Sequence, residues 1–167
     1  KRVAKALEQK KITHGTNKKN DDDPNSETGL PLVGKSVPMQ GVYRLVARLM
    51  NADLPVLVSG ESGTGKSLIA KVLHGFSDRR NSPYVSISSG DLVELDGPAK
   101  ILAKVKGGSL VIEEISDFSL ESQARLVQMI DNPGEYSPRF IATIQGNMMD
   151  AVDNGMIRKD LFYRLGG

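Results

Sequence analysis

The sequence contains no cysteine, which excludes a disulfide framework and any thiolate metal site and fits a cytoplasmic protein. Its two histidines, His14 and His74, lie far apart without partners at ligand spacing, so they indicate no metal centre. Nothing approaches the roughly 18 consecutive apolar residues of a membrane span, and no signal-peptide pattern opens the chain. Net charge is also scarce. A balance of +2 over 167 residues is too even for the domain itself to form a nucleic-acid surface. What remains is one domain's worth of chain, 39% hydrophobic and able to bury a single substantial core.

The charge that is present is unevenly placed. "KRVAKALEQKK" and "NKKN" make the start basic, and Asp21 to Asp23 follow, a pattern that reads as a solvated linker. "VAKALEQKK" has the look of a helix's last turns, so residues 1–13 are expected to close a preceding domain. Residues 14–30 turn polar, with Gly, Asn, Asp and Pro and no apolar periodicity, which is linker chemistry. The folded unit is expected over 31–167. The chain opens without methionine and stops at "RLGG" straight after a helical pattern, as a piece of a longer protein would.

Within that unit, Ser36 can cap a helix with Pro38 in its first turn, and Met39, Val42, Leu45, Val46 and Leu49 form its apolar face. Strands are expected at Pro55–Ser59, at Tyr84–Ser88, through "GGSLVIEE" and at Pro138–Ile144. Helices are expected at Lys66–Phe76, at Pro98–Lys106, after a cap at Ser119, and on to Leu165. In the helix after Ser119, the residues Leu120, Ala124, Val127 and Ile130 share a face. Nearly all-apolar strands alternating with helices predict an α/β fold whose parallel sheet is covered on both sides. No internal repeat is present.

Gly60, Glu61, Ser62, Gly63, Thr64, Gly65, Lys66 and Ser67 match G-x-x-x-x-G-K-S in full, between a strand and a helix. Glycines let backbone N–H groups turn inward, and the helix start adds a positive dipole end, so the loop can cradle phosphate oxygens. Lys66 supplies a point charge to the β- and γ-phosphates, and Ser67 offers a hydroxyl to Mg²⁺. A second strand, "SLVIEE", delivers Glu113 and Glu114 to the same edge. One carboxylate can hold the Mg²⁺ water shell while the next orients the attacking water.

Together "PLVGKSVPMQGVYRLVARLM", "GESGTGKS", "GGSLVIEEISDFSLESQARLVQMI" and "IRKDLFYRL" resemble the central AAA+ domain of bacterial enhancer-binding response regulators, most closely the nitrogen-regulation (NtrC) type. The resemblance covers about Pro31 to Leu165 and implies a P-loop AAA+ three-layer αβα sandwich, without its small helical lid in this sequence. It implies ATP or ADP with Mg²⁺, Gly60 to Ser67 as Walker A, and Glu113 with Glu114 as Walker B. It adds Val33 and Gly34 to the nucleotide site, with Ser67 and Glu113 at the metal. Arg158 and Arg164 fall where the family places arginines that reach a neighbouring subunit's γ-phosphate, making hydrolysis depend on assembly. The implied partners are further copies in a ring or dimer, DNA through a C-terminal helix-turn-helix outside this sequence, RNA polymerase and a cognate sensor histidine kinase; residues 1–13 would end a receiver domain.

The departures from the family are informative. The GAFTGA loop that touches sigma-54 has no counterpart in "SGDLVELDGPAKILAKVKGG", and the second insertion is cut down to "DNPGEYSP". Glu113 replaces the Walker B aspartate, Ser88 matches the asparagine that positions the catalytic glutamate, and Ile144 with Gln145 match the sensor pair. The expected function is therefore an ATP-binding oligomerisation module of a transcriptional regulator, weak as an ATPase, that works with the housekeeping sigma form of the polymerase. Two alternatives stand beside it. One is a mechanochemical AAA+ ATPase that remodels the sigma-54 polymerase. The other, a P-loop small-molecule kinase, would need a substrate pocket and a lid arginine for which no insert exists.

Overall fold

The computed structural model describes residues 37–166, with side chains from Gln40 onward. Val33, Gly34, the cap at Ser36 and the segments expected at 1–13 and 14–30 lie outside the described residues. Four short runs rich in β-branched residues form the strands β1 (Val56–Gly60), β2 (Tyr84–Ile87), β3 (Ser109–Ile112) and β4 (Arg139–Gln145). They make one parallel sheet in the order β1-β4-β3-β2. Six helices connect or flank them: α1 (Val37–Leu49), α2 (Lys66–Gly75), α3 (Gly97–Val105), α4 (Leu120–Asp131), α5 (Met148–Asp153) and α6 (Lys159–Leu165).

The strands alternate between two buried faces, which is why they read as continuous apolar runs. Val56, Val58, Val111 and Ile141 pack under α1 and α2, against Val42, Val46, Ile69 and Leu73. Leu57, Ile87, Leu110, Ile112, Phe140 and Ile144 pack on the other side against α3 to α6, with Ile101, Leu126, Met129 and Leu161. The result is three layers, helix–sheet–helix. Among the described residues no helix is long and apolar enough to cross a membrane.

One face differs from the sequence expectation. In α4 the buried residues are Ser122, Gln123, Leu126, Val127 and Met129, while Leu120 is 51% exposed. Gln123 is fully buried because its amide is fully used. Its Nε2 donates to the carbonyls of Phe118 (2.9 Å) and Met156 (2.8 Å), and its Oε1 accepts the Arg158 N–H at 2.9 Å. Ser119 does cap the helix, accepting the Ser122 N–H at 3.1 Å.

Two connections are held by arginines. Arg125 of α4 donates to the Leu92 carbonyl and, at 2.7 Å, to the Val93 carbonyl, so the 3-10 turn Ser89–Leu92 is fastened to α4. At the amino edge of the sheet the buried Arg139 donates to the Leu49 and Met50 carbonyls and closes the end of α1. Burial, helped by the charge of Arg79 and opposed by Asp53, pushes the Arg139 guanidinium down to about 10.

Candidate phosphate-binding site

The loop leaves β1 at Gly60 and becomes α2 at Lys66. Gly63 (φ 79°) and Gly65 (φ 90°) are left-handed, which only glycine adopts freely. A Cβ built on either would meet nothing within 4 Å, so their requirement is backbone conformation rather than space. Thr64 closes the turn by donating from Oγ1 to the Glu61 carbonyl at 2.7 Å.

Lys66 folds back over this loop and is only 7% exposed. Its three protons have three acceptors: the carbonyls of Gly60 (2.9 Å) and Glu61 (3.4 Å), and Glu114 Oε1 at 3.0 Å. Glu113 and Glu114 arrive from the end of β3 and turn to different partners. Glu113 accepts the Ser67 hydroxyl on Oε2 at 3.1 Å and the Ser86 hydroxyl on Oε1 at 3.0 Å. Glu114 sits in left-handed conformation (φ 50°), where the chain leaves the sheet. Its N–H donates to the buried Thr143 Oγ1 at 2.9 Å, and its Oε2 accepts the Gln145 N–H at 2.9 Å.

Strand order explains this convergence. β4 lies between β1 and β3, so its carboxyl end stands between the phosphate loop and the two glutamates. The residues Gly60 to Ser67, Glu113 and Glu114 are therefore brought together at one edge. Ser88 is not part of that cluster. It is taken up in a capping box, its N–H and Oγ both bonded to Asp91 Oδ2 (2.7 and 3.2 Å). Ile144 is fully buried in the core, and Gln145 contributes its backbone N–H.

Arg158 and Arg164 make their contacts elsewhere. Arg158 grips Asp160 through Nε (3.0 Å) and Nη2 (2.8 Å), and Arg164 grips Asp131 through Nε and Nη2, both at 2.7 Å. These guanidiniums hold the Asp160 and Asp131 carboxyls below the usual carboxylate range. The second pair bolts α6 to the end of α4.

A family model described as the sigma-54 interaction domain matches residues 33–167. The chain belongs to the sigma-54 interaction domain family. It is 36% identical over 172 residues to the DNA-binding transcriptional regulator NtrC of Rhizobium meliloti (strain 1021), covering 86% of this chain and 35% of that protein. It thus spans about a third of that relative's length. Among solved structures it is similar to NtrX from Brucella abortus in complex with ADP, with a TM-score of 0.74 and 24% identity, covering 86% of this chain and 38% of that one. It is also similar to the P-loop NTPase domain of an E. coli sigma-54 activator, with a TM-score of 0.58 and 23% identity, covering 72% of this chain and 98% of that one. The fold is the P-loop AAA+ sandwich.

In this sigma-54 interaction domain, Ser67 and Glu113 form a hard-oxygen pair of the kind that suits Mg²⁺. Among the described residues no group of three or more His, Cys, Asp or Glu side chains could hold a metal alone. The sequence reading missed Ser86, Thr143 and the Gln145 N–H. All three depend on strand order, which no local pattern encodes.

Proposed function

We propose that this chain is the ATP-binding assembly domain of an NtrC-type, DNA-binding regulator of a two-component system, acting with the housekeeping sigma form of the polymerase. Residues 1–13 then end a receiver domain and 14–30 link it to this module. The observation that carries the nucleotide part is the convergence of Lys66, Ser67, Glu113 and Glu114 on one glycine loop. Gly60 to Ser67 hold the phosphates, Lys66 meets the β- and γ-phosphates, and Ser67 with Glu113 meet Mg²⁺. Titration with MgATP tests it. Lys66→Ala is expected to abolish binding, and a variant that binds like wild type refutes the assignment.

Independence from sigma-54 is supported by the segment 89–108. A single 3-10 turn and the nine-residue α3 take up most of it, and Arg125 fastens its exposed bend to α4. A ligand moves only those states it contacts differently, so remodelling a partner needs a surface element that responds to the γ-phosphate. The route that remains is ATP-stabilised oligomers that hold DNA-binding domains beside a promoter. A reconstituted transcription assay of the full-length protein with each sigma factor decides it, and open complexes formed with sigma-54 overturn the proposal.

The family match favours a second reading, an ATPase that remodels the sigma-54 polymerase. Fast ATP turnover together with those open complexes would establish it.

A further inference from the structure

We propose that Ser86 is a positioning residue for the divalent cation that accompanies the nucleotide, acting through Glu113. This rests on the reading above that the loop binds Mg-nucleotide. Ser86 lies on β2, the edge strand, and its side chain is exposed, so its hydroxyl is not needed for packing. It donates to Glu113 Oε1 at 3.0 Å, while Ser67 donates to Oε2 at 3.1 Å. The carboxylate is thus held from both flanks, one oxygen by β2 and the other by the start of α2. Tyr84, two residues earlier on the same strand, has its phenol pushed up by burial and then by the charge of Glu113.

The need for such a clamp follows from side-chain length. Glutamate has one more rotatable bond than aspartate, and a free carboxylate loses rotamer entropy when it must face one direction. A hydroxyl on Oε1 removes that freedom in advance and leaves Oε2 beside Ser67, where a cation's water shell is to be met. Ser86 and Glu113 therefore work as a pair, the serine adapting the longer acid to the site. An aspartate at 113 is too short to need the serine.

The test is calorimetric titration of the whole chain with MgATP and, separately, with ATP in EDTA. Wild type is expected to bind MgATP more tightly than free ATP. Ser86→Ala is expected to weaken MgATP binding by about tenfold, the size of one hydrogen bond to a charged group, and to leave binding in EDTA unchanged. Ser86→Thr, which keeps the hydroxyl on a strand-compatible side chain, is expected to restore it. In a Glu113→Asp background, Ser86→Ala is expected to change nothing. Equal loss with and without Mg²⁺, or no loss at all, overturns the role of Ser86 while leaving nucleotide binding in place. Wild type that binds neither form overturns the nucleotide reading and this inference with it.

Discussion

Lys66 Nζ lies 3.0 Å from Glu114 Oε1, and the other oxygen of that carboxylate accepts the Gln145 N–H at 2.9 Å. The lysine that a phosphate needs is already matched by a protein carboxylate. An arriving γ-phosphate would compete with Glu114 for Lys66, and two anions beside one lysine repel each other. Glu114→Gln keeps the shape and removes the competing charge. We expect it to bind ATP at least about fivefold more tightly, equivalent to about 1 kcal/mol of charge-assisted bonding, and to hydrolyse it more slowly. Equal affinity of variant and wild type would mean that the pair does not compete with phosphate.

Turnover in the wild type is expected to be slow. Glu113 is a methylene longer than aspartate, and Ser88 is bonded to Asp91 rather than to Glu114. A misplacement of about 1 Å at a reacting group can cost roughly 100-fold. The pair Glu113→Asp and Ser88→Asn is expected to raise kcat, and asparagine caps a turn well enough to leave the fold intact. Steady-state hydrolysis by wild type at the rate of intact family members would defeat the argument.

Arg158 and Arg164 are expected to act between subunits. Both are partly exposed and paired to carboxylates within their own chain, and such surface pairs contribute little to stability. Replacing either with alanine should leave monomer unfolding nearly unchanged and weaken ATP-dependent self-association. Sedimentation with ATP reads this directly. Oligomers of unchanged size would reduce both to arginines that join α6 to itself and to α4.

His74 gives the fold an acid sensitivity. It is buried on α2, with Nδ1 2.8 Å from Ser109 Oγ and its ring edge-on to Tyr84 at 5.3 Å. Burial lowers its pKa below 6.5; a backbone bond at Ser82 opposes the shift and the charge of Arg139 adds to it. The unfolded chain then binds the proton more readily than the fold does. Stability is expected to be full above about pH 6.5 and to fall as the pH drops below it. Urea unfolding between pH 5 and 7.5 measures the slope, and His74→Leu should flatten it. A slope identical in the variant would assign the effect to other groups.

Much of the site is legible in the sequence because its chemistry is local. Gly60 to Ser67 sit within eight consecutive residues between a strand and a helix, and their spacing alone carries the loop geometry. Element ends agree to a residue or two, as with α2 ending at Gly75 rather than Phe76. The buried face of α4 is less legible. Gln123 counts as polar in any periodicity, yet three hydrogen bonds, two of them with the distant Met156–Arg158 segment, allow it inside. The partners of Glu114 are equally hidden, since Thr143 and Gln145 reach it only because β4 inserts between β1 and β3.

The clasp of Arg125 on Leu92 and Val93 has a mechanical consequence. Val93 and Leu95, 66% and 88% exposed, stand on a bend whose start is tied to α4 by the Leu92 and Val93 carbonyls. A displacement of those side chains is therefore expected to be felt first at α4, through the Arg125 bonds. The bend is a handle on that helix rather than a loose flap, because two of its carbonyls share one arginine.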